Sequence, residues 1–139
     1  MRTREQRLAA KIFKQVQEVD RKFPTTDEDS KKQRTRYGGM CHKLPILIRT
    51  AGLAQALAFL HAKAKVDTGK EPGLRQLWED LARSVEQDPN NFTTNVHQAA
   101  LPQYMHLTQL VLAALLWYKR FAQSVLDVDA SDESDKEPA

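Results

Sequence analysis

Leu8, Ile12, Val16, Val19 and Phe23 recur at steps of four, four, three and four, which draws one apolar stripe along the side of an α-helix. The same step returns in almost every periodic stretch that follows. No run alternates apolar and polar residues as a half-buried strand does. A chain patterned this way buries its apolar surface helix against helix. We therefore expect an all-α fold, a compact bundle of five to six helices. At 139 residues the chain has the length of one domain. It can bury roughly two-thirds of its unfolded surface, so no metal or disulfide staple is required.

The punctuation between stripes sets the elements. Thr3-x-x-Gln6 has capping-box spacing ahead of the first helix, and Pro24 ends it. A second helix is expected from near Asp29 or Ser30, with Tyr37, Cys41, Leu44 and Ile48 facing inward. Gly38-Gly39 weakens it, Pro45 kinks it, and Gly52 closes it as a left-handed cap. A third helix covers residues 54–65, and Asp67-Thr68-Gly69 reads as a turn. Pro72 opens a fourth helix with Leu74, Leu77, Trp78, Leu81 and Val85 inward. Asp88-Pro89-Asn90-Asn91 breaks the chain before a short helix at 95–101. The last helix, about 102–126, carries the seam Tyr104, Leu107, Val111, Ala114, Tyr118, Phe121 and Val125. Leu112, Leu116 and Trp117 project well away from that seam. A helix apolar over so wide an arc either lies central to the core or covers two partners, one of them another chain.

Charge divides the chain. Residues 127–139 hold six acids and one base, a balance of −5, whereas the first 126 residues carry 20 bases and 12 acids, a balance of +8. We read residues 1–126 as a single helical domain and 127–139 as an acidic, disordered tail. A basic body of this kind favours a polyanionic partner. The longest uncharged apolar stretch, residues 107–118, falls short of the ~20 residues a membrane span needs, so no membrane partner is expected. The N-terminus lacks the apolar stretch of a signal peptide. With Cys41 as the single cysteine, a reducing cytoplasm is the expected compartment.

Residues suited to catalysis are sparse. No two of His42, His61, His97 and His106 stand three or four apart. Cys41 and His42 point about 100° apart, too far to chelate one ion as a local pair. We read them as a buried thiol beside surface imidazoles, and Glu79-Asp80 as the solvated side of a helix. A nucleophile elbow, a phosphate-cradling glycine loop and a metalloprotease box are all missing. No catalytic residue, metal ligand or cofactor is expected.

The cations are better organised. Lys31, Lys32, Arg34 and Arg36 crowd into six residues. On a regular helix Lys32, Arg36 and Lys43 fall within about 40° of one another, away from the apolar stripe. On the first helix Arg7, Lys11, Lys14 and Arg21 share a face, interrupted by Glu18. Such stripes neutralise phosphates without reading bases, and no sequence-reading RNA module is present. The cations are expected to gather on a side left open for a polyanion.

The stretch Tyr37-Gly38-Gly39-Met40-Cys41-His42-Lys43-Leu44-Pro45-Ile46-Leu47-Ile48-Arg49-Thr50-Ala51-Gly52-Leu53-Ala54-Gln55-Ala56-Leu57-Ala58-Phe59-Leu60 resembles the signature of the small subunit of the type III-B CRISPR effector, the Cmr complex. Leu107-Thr108 and Trp117-Tyr118-Lys119-Arg120-Phe121-Ala122 resemble its closing helix. The resemblance extends over most of residues 5–125 and implies a compact, all-helical, non-catalytic subunit. Copies of such a subunit stack beside other subunits of the complex and help hold guide RNA and target RNA, in defence against foreign nucleic acid. Pro45 and Gly52 would then be architectural. Lys43 and Arg49 are the candidates for RNA backbone contact within that stretch, joined by Lys32 and Arg36. Lys119 and Arg120 diverge by about 100°, so one would face the RNA groove and the other a neighbouring subunit. Leu112, Leu116 and Trp117 would form the protein interface. The alternative is a helical protein–protein adaptor with no nucleic-acid role.

Overall fold

Thr3 opens the first helix as its spacing requires: its hydroxyl accepts the Gln6 N–H at 3.0 Å, and Gln6 Oε1 accepts the Thr3 N–H at 2.8 Å. The computed structural model describes residues 2–64 and 71–132; the turn expected at Asp67-Thr68-Gly69 lies outside them. The helices are α1 (Arg4–Lys22), α2 (Glu28–Ala51), α3 (Leu53–Ala64), α4 (Pro72–Ser84), α5 (Phe92–Gln98) and α6 (Leu101–Ser124), followed by a 3-10 turn at Ala130–Asp132. Among the described residues there is no strand. The fold is all-α.

Local chemistry shifts several boundaries. Asp27 caps α2 by accepting the Ser30 N–H at 3.1 Å, so the helix starts ahead of the expected Asp29 or Ser30. It then runs unbroken through Gly38, Gly39 and Pro45. The short helix expected at 95–101 forms at Phe92–Gln98, because Phe92 is fully buried against Trp78, with ring centroids 5.3 Å apart. Gly52 adopts φ 93 and ψ 162, a positive φ that L side chains rarely take but with an extended ψ, so it is not the expected left-handed cap. Its N–H still closes on Ile48 O at 2.9 Å.

α2 is the central element, packed against α1, α3, α4, α6 and the terminal 3-10 turn. Its first half lies beside the end of α6 and its last residues beside Tyr104, whose hydroxyl accepts the Ala54 N–H at 3.1 Å; α2 and α6 are antiparallel. α4 opposes α1, since Lys11, Gln15 and Lys22 reach Arg83, Asp80 and Gln76 in turn. Ile12, Val16, Tyr37, Leu44, Leu57, Leu77 and Tyr118 are essentially inaccessible at the centre. On α6 the seam is rotated from the one expected. Leu115 and Ala122 join Leu107, Val111, Ala114 and Tyr118 inside, while Tyr104, Phe121 and Val125 are half-buried.

Two glycines allow backbones to approach. A Cβ on Gly73 would collide with Gln33 O, and the Gly73 N–H donates to Gln33 Oε1 at 2.9 Å. That bond satisfies an orphan donor of α4, whose own cap residue supplies none. A Cβ on Gly38 would lie 2.7 Å from Val128 Cβ. Val128 reaches this notch because Asp127 turns at φ 60, after which the Val128 N–H returns to Ala122 O at 2.9 Å. Aspartate thus takes the positive φ for which glycine is usual. Val128 is buried, so the packed body extends past the boundary expected at 126. Residues 133–139 of the expected tail lie outside the described set.

Candidate nucleic-acid interface

The cationic run at the start of α2 divides by the helical period. Arg34 stands three before Tyr37 and seven before Cys41, on the apolar stripe, and is buried. Its Nε donates to Leu126 O at 3.0 Å, Nη2 to Val125 O at 3.3 Å and Nη1 to Phe23 O at 3.1 Å. Asp20 Oδ1 lies 2.7 Å from Nη1. One guanidinium thus joins the carbonyl ends of α1 and α6, where a cation also suits the helix dipoles. Arg34 is structural. Its position on the stripe was the signal that could have identified it.

The expected Lys32, Arg36 and Lys43 face is only partly open. Arg36 Nη1 pairs with Glu71 Oε1 at 3.1 Å, tying α2 to the start of α4. Lys43 is half-buried, with Nζ 5.6 Å from the centre of the Phe59 ring, which Lys63 also approaches at 5.6 Å. Both side chains engage partners within the molecule because α3 and α4 pack on that side of α2. Lys32 is exposed and has no partner among the described residues. The same is true of Lys31, Arg49, Lys119 and Arg120. Lys31 and Arg49 stand 18 residues apart, five whole turns, so they share a face of α2. Spacing alone could have revealed that pairing.

On α1 the stripe is largely engaged: Lys11 Nζ donates to Arg83 O at 2.8 Å, Arg7 Nη1 to Arg2 O at 2.8 Å, and Arg21 pairs with Glu18. Lys14 remains exposed. The three residues expected at a protein interface are distributed across the outer surface of α6. Leu116 is exposed; Leu112 and Trp117 are half-buried. The Trp117 ring stacks on Phe121 at 5.7 Å, and Phe121 meets the edge of Phe13 at 5.2 Å.

Beneath these surfaces a polar network crosses the core. The Tyr37 hydroxyl donates to Asp80 Oδ2 at 2.7 Å, Gln76 Nε2 donates to Asp80 Oδ1 at 2.9 Å, and Tyr118 donates to Gln15. Asp80 is therefore buried rather than solvated: it sits on the α4 face turned toward Tyr37. Burial pushes the Tyr37 hydroxyl and the Cys41 thiol above their ordinary ranges, which leaves that thiol unreactive. His42, expected at the surface, is buried instead, because the segment around Val128 packs over it; its Nε2–H donates to Val128 O at 3.0 Å. Among the described residues no three His, Cys, Asp or Glu side chains converge as metal ligands. Nor is any helix there long and apolar enough to cross a membrane.

Against known families, residues 4–125 match the model of the CRISPR-associated protein Cas_Cmr5. This chain belongs to the Cmr5 family. A curated relative from Thermus thermophilus, described as the CRISPR system Cmr subunit Cmr5, is 38% identical over 128 residues, covering 91% of this chain and 99% of its own length. The crystal structure of a CRISPR-associated Cmr5 family protein from Thermus thermophilus superposes with a TM-score of 0.69 at 38% identity, covering 90% of this chain and 98% of that one. The helices α1 to α6 and the Pro45–Gly52 stretch fall within the span matched to the Cmr5 family.

Proposed function

We propose that this Cmr5-family chain is a non-catalytic, cytoplasmic subunit of a Cmr-type CRISPR effector, in which it helps hold guide RNA and target RNA by backbone contacts. The family match across residues 4–125 carries the reading. It is supported by exposed cations that have no side-chain partner among the described residues. Lys32, Arg49, Lys119 and Arg120 are the RNA contacts of this proposal, with Lys31 added to them. Arg36 and Lys43 serve internal contacts instead. Ammonium and guanidinium groups spaced along helices follow phosphates and ignore base identity. A single copy makes about 3–5 such contacts and binds weakly. Copies held in a row by protein contacts, together with other subunits, gain their grip through effective concentration. Leu112, Leu116 and Trp117 are the side chains offered to neighbouring subunits.

The test is charge reversal in the reconstituted complex. A K32E/R49E/K119E/R120E variant should assemble yet hold target RNA at least about tenfold more weakly. The dependence of log affinity on log salt should flatten by roughly 0.7 for each lost contact. Unchanged affinity and salt slope in the assembled complex would leave the adaptor reading, in which the chain contacts protein alone.

A further inference from the structure

Between Asp88 and Lys119 the chain carries no Asp, Glu, Lys or Arg, a run of 30 residues in a protein where 28% are charged. That run includes α5 and most of α6. Its outer surface bears three of the most exposed large apolar side chains among the described residues: Leu101 at 69%, Met105 at 54% and Leu116 at 48%. Leu112, half-buried, stands with them. On a helix these four fall within roughly 60° of one another. Between Leu101 and Leu116 they form an uncharged, largely apolar face, interrupted midway by Thr108 and Gln109.

We propose that this face of α6 pairs with the α6 of a second copy, antiparallel and about a two-fold axis. The spacing is self-complementary. Leu101, Met105, Leu112 and Leu116 lie at intervals of four, seven and four, which read the same in either direction. An antiparallel α6 therefore sets Leu101 against Leu116 of the second copy and Met105 against Leu112 of the second copy, and the two-fold repeats both pairs. The axis passes between Thr108 and Gln109. The Thr108 hydroxyl donates to Tyr104 O at 2.9 Å and keeps a lone pair free, which the exposed Gln109 amide of the second copy can reach. Two such polar bonds at the crossing fix the register, as a buried polar residue does in coiled coils. Electrostatics selects the direction. A parallel pair would align the exposed Lys119 and Arg120 of both copies side by side, whereas the antiparallel pair sends them to opposite ends. The pairing covers Leu112 and Leu116, so the free protein would hide, copy against copy, the side chains it later offers to a complex.

The experiment uses the full chain. In a concentration series by light scattering, the mass should rise from 15.9 kDa toward twice that value. Met105→Glu, a change at an exposed position, should hold the protein monomeric with its helical circular dichroism intact. Under mild oxidation an L101C/L116C variant should form a disulfide-linked dimer at least about tenfold faster than L101C or L116C alone. Cys41, fully buried, takes no part. Monomeric mass at every concentration, dimers that survive M105E, or single variants that cross-link as fast as the double would each overturn the pairing. None of these readouts involves RNA, so failure of the proposed function and failure of this inference are separable.

Discussion

Burial raises the Asp80 carboxyl from 3.8 to about 6, although the bonds from Tyr37 and Gln76 pull the other way. In the unfolded chain the group ionises at the lower value. Between the two values the folded protein therefore holds more protons, and stability falls as pH rises from about 4 to about 6, then levels off. The drop is on the order of 3 kcal/mol. Asp80→Asn keeps an acceptor for the Tyr37 hydroxyl and has no charge to bury. Urea unfolding of this variant at pH 4 and pH 7.5 should show that slope removed; a slope equal to the parent's would refute the assignment. At this scale the sequence was informative about apolar residues and misleading about charged ones. Asp80 and Arg34 each lie among other charged residues, a pattern that reads as surface, yet each faces inward and bonds groups distant in sequence. Nothing local announces such partners.

Helices were legible wherever an amphipathic stripe and a cap coincide, as in α1 from Thr3 to Lys22. They were less so where tertiary contact decides, as with Phe92 drawing α5 three residues earlier under Trp78. The closure of α6 was hidden for a similar reason, since Asp127 does the work for which glycine is the usual sign. That closure predicts the behaviour of Gly38. Alanine there gains about 1 kcal/mol of helix propensity, but its methyl would lie 2.7 Å from Val128 Cβ and 2.8 Å from Cγ1. Neither atom is at the end of a flexible side chain. Overpacking of this kind costs about 1–3 kcal/mol. G38A should thus be destabilised, and hydrogen exchange at the Val128 amide should accelerate while the amides of α1 keep their protection. Retained protection at Val128 would show that the notch is not filled as described.

Across the whole molecule the charge asymmetry was readable from composition, whereas its arrangement was not. The bases do not form one open wall: several are tied to carboxylates, carbonyls or an aromatic ring, and the free ones project from α1, α2 and α6. The acidic end begins on the packed body, so its influence is best tested from residue 133 onward. Removing residues 133–139 takes away three acids and one base. Single-stranded RNA should then bind the isolated protein a few-fold more tightly at low salt, with no change in thermal midpoint. Equal affinity would leave the extension as a solubilising segment. Arg34 has one more consequence, which concerns time rather than space. It is translated 91 and 92 residues before Val125 and Leu126, whose carbonyls receive its guanidinium. Until they leave the ribosome the nascent α2 carries a cation whose permanent site does not yet exist. Closure of the bundle therefore waits for α6 to emerge, and until then the first helices stand incompletely latched.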